Sequence, residues 1–204
     1  SIVIAPEGVY IIMSTSIHNR LKIIDLSDNG LQPMESEKFC IVFNGEIYNY
    51  QELKNNHLSD IIFKGTSDTE VLLYLFEKFG IQETLDKLNG MFAIGLYDKS
   101  EKKLYLMRDR MGEKPLYYYV DNNKKKLYFA SNLKSIFMTL YSLENKEWHI
   151  NYQAIYHYLL LGGCWEGESL VKDIYKLEKA SYLEVDSNLN IQKNVYWYPK
   201  LNNN

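Results

Sequence analysis

Residues 39–50 decide the fold and read Phe39-Cys40-Ile41-Val42-Phe43-Asn44-Gly45-Glu46-Ile47-Tyr48-Asn49-Tyr50. The first five are apolar and rich in β-branched and aromatic side chains, which predicts a strand buried on both faces. Asn44-Gly45 is predicted to end the strand. Asn49 followed by Glu52 has the spacing of a helix N-cap with its reciprocal partner. A buried strand therefore delivers Asn44-Gly45-Glu46 to an edge of a sheet, where a rigid scaffold can hold chemical groups in place.

Asn44-Gly45 has two interpretations. Between two strands, Asn-Gly is the strongest signal for a tight hairpin turn. Alternatively, the Asn44 side chain offers amide N–H donors, and Gly45 offers a backbone N–H that no side chain shields. Side by side, these donors suit the stabilisation of a developing oxyanion.

The composition is that of an ordinary globular protein: 204 residues, 46% hydrophobic and 24% charged, with a net charge of -3. The slight acidity argues against a nucleic-acid surface. No apolar stretch reaches the roughly 20 residues that a membrane helix needs. Two cysteines far apart, Cys40 and Cys164, favour a reducing compartment over a disulfide framework. We therefore expect a cytoplasmic protein with no nucleic-acid and no membrane partner.

Asp68 and Arg20 each have a structural and a functional interpretation. Ser67 followed by Glu70 predicts a helix start, and the helix dipole stabilises the Asp68 carboxylate in the first turn. The same carboxylate suits a substrate ammonium group. Arg20 stands just before a predicted strand, either as a surface cation or as a guanidinium fork for a carboxylate.

The rest of the pattern predicts a layered α+β domain. The helix that begins at Ser67 is predicted to stop at Gly80, and further helices are predicted before Gly90 and over 132–140 and 151–161. Paired apolar runs predict three hairpins, 91–97 with 103–107, 116–120 with 127–130, and 181–185 with 191–196. No linker long or polar enough to divide the chain is visible, so one domain is expected.

Several stretches, in family order along the chain, resemble motifs of the glutaminase domain of glutamine-hydrolysing asparagine synthetases. They are Arg20 to Ser27, Gln32-Pro33-Met34, Asn44 to Tyr50, Ser67 to Val71, Asn89 to Ala93, Arg108 to Tyr118, Phe129-Ala130-Ser131, Lys172 to Leu177 and Tyr196-Trp197. The resemblance runs from about Gly8 to Trp197. One such motif would be weak, but this many in order are specific.

The resemblance implies a class II glutamine amidotransferase domain over residues 1–198, with 199–204 as a tail. The implied fold is that of the N-terminal-nucleophile hydrolases, an αββα sandwich of two antiparallel sheets between helical layers. In such enzymes an N-terminal Cys attacks the side-chain amide of glutamine, and its own α-amine acts as the base. A terminal amine suits this role because its ordinary pKa lies close to that of a thiol. Ammonia leaves, and water hydrolyses the thioester.

By the same resemblance, Arg20 holds the α-carboxylate of L-glutamine and Asp68 holds its α-ammonium group, while Asn44 and Gly45 form the oxyanion hole. The resemblance places further residues around glutamine: Leu21, Ile23, Ile24, Glu46 and Ser67. It implies no cofactor or metal in this domain. ATP and Mg²⁺ are expected only in a synthetase domain, for which no phosphate-loop motif occurs in this sequence. The chain would supply ammonia to a synthetase domain or subunit, for transfer to aspartate or a related acceptor.

The chain departs from the family pattern in two places. It has no N-terminal Cys, and the family's His-Arg-Gly-Pro-Asp segment before Gly8 is missing, so we expect a chain break or abrupt join between about Ile4 and Glu7. Three explanations remain open: a first residue and a loop absent from this sequence, Ser1 as nucleophile, or a degenerate protein that binds glutamine without hydrolysing it. Asn132 stands where the family usually has Glu, which puts a contact near the domain's outer edge in doubt.

Overall fold

The computed structural model describes residues 2–4, 10–12 and 32–199, with the backbone alone for residues 2–4, 10–12 and 143. The described strands are β1 (Ile2–Ile4), β2 (Tyr10–Ile12), β3 (Met34–Glu35), β4 (Phe39–Ile47), β5 (Gly90–Asp98), β6 (Lys103–Arg108), β7 (Tyr117–Asp121), β8 (Lys126–Ala130), β9 (Ile174–Lys176), β10 (Ser181–Val185) and β11 (Ile191–Val195). The described helices are α1 (Tyr50–His57), α2 (Asp68–Lys87), α3 (Leu133–Glu144) and α4 (Tyr152–Leu161). The chain break or join predicted between Ile4 and Glu7 falls on residues outside the described ones.

Two antiparallel sheets form the centre of the domain. Six strands run in the order β11-β10-β6-β5-β4-β3, and three run in the order β8-β7-β9. The β1–β2 pair is also antiparallel, and β2 lies beside β8. All three predicted hairpins are present, as β5–β6, β7–β8 and β10–β11. Strand β4 lies between β5 and β3, and because β3 is only two residues long, β4 is close to one edge of the sheet.

Alternate residues of β4 face two different layers, because successive side chains of a strand point to opposite faces. Phe39, Ile41 and Phe43 belong to a buried cluster that also contains the apolar faces of α1 and α2. Cys40 and Val42 belong to a second cluster, shared with Leu127, Phe129 and other residues of the three-stranded sheet. The strand is buried on both faces, as its unbroken apolar run predicts.

The outer face of the three-stranded sheet is covered by α3. A third buried cluster joins them and contains Tyr119, Tyr128, Ala130, Ile136, Leu140 and Ile174. The layers thus follow one another as helices, sheet, sheet and helix, which is the predicted αββα sandwich. The two sheets approach closely at Gly95, where a Cβ atom would lie 2.5 Å from the ring of Phe129.

The prediction that Asn44-Gly45 ends the strand is wrong, and so is its hairpin interpretation. Strand β4 runs on to Ile47, with Asn44 opposite Ala93 and Gly45 opposite Phe92. A Cβ on Gly45 would lie 2.0 Å from the carbonyl oxygen of Met91. The glycine is needed because the backbones of β4 and β5 approach closely there, and not because the chain turns.

Helix α2 begins as predicted, but the reciprocal cap is incomplete. The Ser67 hydroxyl accepts a hydrogen bond from the N–H of Thr69 at 3.1 Å. The Glu70 carboxylate does not return to Ser67. It accepts instead from the N–H groups of Lys64 and Gly65, at 2.8 and 2.9 Å, and fixes the preceding loop. The predicted stop at Gly80 is a break within α2, where φ is 71°.

Asn49 occupies the N-cap position of α1 but does not cap it with its side chain. Its Nδ2 donates to the carbonyl of Lys87 at 2.9 Å, and its Oδ1 accepts from the N–H of Asn89 at 3.0 Å. The predicted reciprocal cap with Glu52 is therefore wrong. Asn49 ties the end of β4 to the segment that leads into β5.

Candidate active site

The space between the two sheets opens to solvent at Asn44. Val42 faces the second sheet and is buried, whereas Asn44, on the same face two residues on, is exposed. The Asn44 Nδ2 donates to Oγ of Ser131 at 2.9 Å. Ser131 directly follows β8, so this bond links the two sheets at the mouth of the sandwich.

Gly45 directs its backbone N–H toward the edge of β4 that faces away from β5. Within a strand, N–H groups two residues apart point the same way. The N–H of Phe43 donates to Oε1 of Gln32 at 2.7 Å, and that of Ile47 donates to Oδ2 of Asp68 at 3.2 Å. The Gly45 N–H lies between them on the same edge, next to the Asn44 side chain. The two predicted oxyanion donors thus stand together at one corner of the sheet.

Asp68 lies buried beside the end of β4, at the first turn of α2. Burial raises the pKa of its carboxyl group, and the nearby charge of Glu46 raises it further. Hydrogen bonds from the backbone N–H groups of Ile47 and Thr69 oppose the rise. The charge of Glu46 thus acts on the buried Asp68 carboxyl group, and a bound cation would offset this unfavourable interaction.

Of the other predicted site residues, Ser67 is described and buried, and its hydroxyl serves the helix cap. The four at the start of the predicted strand lie outside the described residues: Arg20, Leu21, Ile23 and Ile24.

Neither cysteine has the environment of an activated thiol. Cys40 is buried within β4, and burial, with a contribution from Glu35 against that of Lys99, raises its pKa to about 11. The pKa of Cys164 is also raised, chiefly by burial. A thiol that stays protonated at neutral pH is a poor nucleophile. The surroundings of Cys40 and Cys164 therefore do not activate either thiol as a nucleophile.

Sequence reasoning missed the part played by Asp109 in the charged connection between β6 and β7. Its carboxylate accepts hydrogen bonds from four backbone N–H groups at 2.9 to 3.2 Å: those of Phe92, Met111, Glu113 and Lys114. Phe92 is the partner of Gly45 across the sheet, so the loop is anchored directly behind the candidate oxyanion hole. An Asp before a Gly-containing turn is a known turn signal and could have indicated this role.

Arg108 also stabilises the connection between β6 and β7. Its guanidinium donates to the carbonyls of Lys114 at 2.8 Å and Leu177 at 2.7 Å, and also to the carbonyl of Gly112. Every one of these acceptors is backbone, so the buried cation holds the loop in shape.

Asn132, which departs from the family pattern, caps α3: its Oδ1 accepts from the N–H of Ser135 at 2.8 Å. Asn is among the best N-cap residues, which gives this departure a structural role. The sequence did not predict the contact of the neighbouring Ser131 with Asn44, since it marked Ser131 only as part of a family motif.

Among the described residues, no three histidine, cysteine or acidic side chains are grouped so that they could hold a metal ion. None of the helices described above is long and apolar enough to cross a membrane.

Comparison with known proteins gives the family. A family model described as a glutamine amidotransferase domain matches residues 7–197. Asparagine synthetase [glutamine-hydrolyzing] 2 of Bacillus subtilis is 40% identical over 185 residues, which cover 87% of this chain and 24% of that protein. Amidase chry2 of Gibberella zeae is 34% identical over 184 residues, covering 88% of this chain and 26% of that one. The chain thus spans about a quarter of the length of these two relatives.

The fold is also that of a solved amidotransferase. The glutamine phosphoribosylpyrophosphate amidotransferase from B. subtilis, complexed with ADP and GMP, superposes with a TM-score of 0.55 at 18% identity, over 83% of this chain and 32% of that one. At this identity the likeness concerns the fold alone. Together, the motifs, the αββα layers and the family match establish that the chain belongs to the glutamine amidotransferase domain family and is homologous to the glutaminase domains of glutamine-hydrolysing asparagine synthetases.

Proposed function

We propose that this domain is a glutaminase that releases ammonia from L-glutamine. One observation carries the proposal: Asn44 and Gly45 place two N–H donors at the mouth of the sandwich, and the buried Asp68 is hydrogen-bonded to the same strand three residues after Asn44. Family membership adds the reaction type. An oxyanion site beside a carboxylate suits a substrate with an amide at one end and an ammonium group at the other.

In the proposed complex, Asp68 and Glu46 bind the α-ammonium group of glutamine. Arg20 binds the α-carboxylate through its guanidinium fork. Each contact leaves the side-chain amide free to reach Asn44 and Gly45, because the two charged groups are both at the far end of the substrate.

The reaction proceeds through a tetrahedral intermediate. An N-terminal nucleophile attacks the amide carbon, and its α-amine takes the proton and returns it to the leaving nitrogen. The carbon–nitrogen bond breaks, ammonia departs, and water then cleaves the acyl-enzyme. The N–H groups of Asn44 and Gly45 stabilise the negative oxygen in both halves of the reaction.

Calorimetry and ammonia release test these assignments. Arg20→Ala removes a charge-assisted pair of about 1.5–3 kcal/mol, so glutamine affinity should fall at least tenfold.

Asn44→Ala should leave affinity nearly unchanged, since its donor meets full charge only in the transition state. In a version with an N-terminal Cys, the same change should lower turnover by roughly a hundredfold. Asn123→Ala, in an exposed turn, is the matched control.

Equal glutamine affinity in the wild type and in Arg20→Ala would refute the assignment of the pocket. Glutamine binding without ammonia release, in a version that has the N-terminal Cys, would instead assign the chain a binding role.

The ammonia acceptor is proposed to be a synthetase domain or subunit, acting on aspartate or a related compound. About three quarters of the B. subtilis relative lies outside the shared region, which leaves ample chain for such a partner. The differing names of the two relatives, a synthetase and an amidase, leave the acceptor compound open.

The described surface best suited to this partner is α4. The helix carries no Asp, Glu, Lys or Arg, and its large apolar side chains are exposed, with Tyr152 at 77%, Leu159 at 79% and Leu160 at 65%. Such a face is costly in water and typical of a protein contact.

The segment after α4 leads back toward the mouth of the sandwich. The carbonyl of Gly167 accepts from the N–H of Lys176, which pairs with Tyr117, and Tyr117 pairs with Ala130 beside Ser131. A partner seated on α4 would thus contact a helix whose following segment is hydrogen-bonded to the three-stranded sheet that carries Ser131.

The test uses the complete enzyme that contains this domain. Leu159→Glu combined with Leu160→Glu should lower the amount of amidated product formed per glutamine hydrolysed, while hydrolysis itself is kept. Ile62→Glu, at an apolar residue 91% exposed elsewhere, should leave the ratio unchanged. A wild-type ratio in the double variant would exclude α4 as the contact.

A further inference from the structure

The hydrogen bond between Asn44 and Ser131 joins residues 87 positions apart in the sequence. It connects the two sheets at the point where their shared core gives way to solvent. Both ends are well fixed. Asn44 is paired across the sheet with Ala93. Ser131 follows the buried Ala130 of β8 and precedes the cap of α3.

The chemistry of a primary amide makes this bond informative. The group is planar and carries two N–H donors on one nitrogen. A hydrogen bond to one of them fixes the plane of the group and therefore the direction of the other. Transition-state stabilisation depends on donors that are already in place when the charge develops.

We infer that Ser131 is a positioning residue for the oxyanion hole: its hydroxyl holds one N–H of the Asn44 amide and leaves the second directed at the reacting carbonyl oxygen of glutamine. The inference rests on the proposed role of Asn44. By this inference, Ser131 of the family motif Phe129-Ala130-Ser131 contributes to turnover without contributing to substrate binding.

The kinetic test compares three variants in a version with an N-terminal Cys. Ser131→Ala should lower kcat for glutamine hydrolysis by roughly fivefold to tenfold with KM unchanged, as expected for the loss of one hydrogen bond that matters in the transition state. Ser131→Thr keeps a hydroxyl and should retain most of the activity. Ser135→Ala is the control, because its Oγ is buried without a hydrogen-bond partner among the described residues. An unchanged kcat in Ser131→Ala, or a change in KM alone, would overturn the inference.

A second readout does not depend on activity. In ¹⁵N-labelled protein, the two side-chain N–H signals of Asn44 should exchange with water faster and move closer together in Ser131→Ala, and should keep their wild-type behaviour in Ser131→Thr. Unaltered Asn44 signals in Ser131→Ala would refute the positioning role even if no version released ammonia. Altered signals without any ammonia release would uphold the contact and count against the proposed glutaminase.

Discussion

Asp68 and Ile47 are joined by a hydrogen bond of 3.2 Å from the backbone N–H of Ile47 to Oδ2 of Asp68. The bond ties the first turn of α2 to the end of β4. Leu72, Leu75 and Phe76 of α2 pack against β4 within the same buried cluster, so the carboxylate is fixed relative to the strand. The distance between the proposed ammonium site and the proposed oxyanion hole is therefore set by the core of the domain.

This placement has a cost in stability that depends on pH. Burial first, and then the charge of Glu46, raise the pKa of Asp68 above its value in the unfolded chain. The contribution of such a group to stability is fully present below the unfolded-state pKa and is lost as pH rises through the folded-state pKa. We expect Asp68→Asn to gain stability relative to wild type as pH rises from about 3 to 7, measured by urea unfolding. Glutamine affinity should fall at least tenfold at the same time.

Asp98→Asn is the matched control, for which we expect the opposite change of stability with pH. Burial acts to raise the pKa of Asp98, but hydrogen bonds from Ser100 and Glu101 outweigh it, and the pKa is lowered. Its contribution is present above the unfolded-state pKa and lost as pH falls through the folded-state pKa. Asp98→Asn should therefore lose stability relative to wild type as pH rises over the same range. Parallel pH trends in the two variants would contradict this account.

Gly45 should tolerate no side chain. Gly45→Ala places a Cβ 2.0 Å from the carbonyl oxygen of Met91, and the backbone of β5 must move to relieve it. We expect a loss of about 3 kcal/mol in the free energy of unfolding. Gly163→Ala, with no atom within 4 Å of the added carbon, should change it by less than about 0.5 kcal/mol. Equal melting temperatures for the two variants would show that β4 and β5 are not in close contact there.

Asp109 should be essential to the loop behind the site. In Asp109→Asn, an amide nitrogen replaces one of the two carboxylate oxygens that together accept from four backbone N–H groups. The new N–H₂ group then faces buried backbone N–H groups that have lost their acceptor. Each unsatisfied buried donor costs about 1–3 kcal/mol, which predicts a total loss of about 3 kcal/mol. Asp60→Asn, at an exposed residue, should be nearly neutral in the same unfolding experiment. A loss below 1 kcal/mol in Asp109→Asn would mean that the loop has other support.

Local patterns predicted the elements of this fold well, since each depends on neighbouring residues. The apolar run of β4 and the three hairpins follow from short-range periodicity and turn signals. The position of β4 near one sheet edge does not, because it depends on the two-residue partner β3 and on the pairing of β10 with β6, strands far apart in the sequence.

The errors at Asn44-Gly45 and Asn49 have the same origin. Both were interpreted as local turn and cap signals, and both are explained by contacts with β5 or the residues that lead into it. The residue types and the likeness to a known family supplied the roles proposed for Asn44 and Asp68. The contact of Ser131 with Asn44 became visible only when the two sheets were in place.

The corrected role of Asn49 can be tested against a residue of the same type that does cap a helix. Asn49→Ala should lose about 2 kcal/mol of unfolding free energy, because it removes the bonds to Lys87 and Asn89. Asn49→Ser should recover little of this, since a hydroxyl is too short to reach both partners. At Asn132, the Ala variant should lose about 1 kcal/mol, and Ser should restore most of it, because Ser is as good an N-cap. If Ser restored stability at Asn49 as well as at Asn132, the local cap interpretation of Asn49 would be right after all, and the tie to β5 would carry little energy.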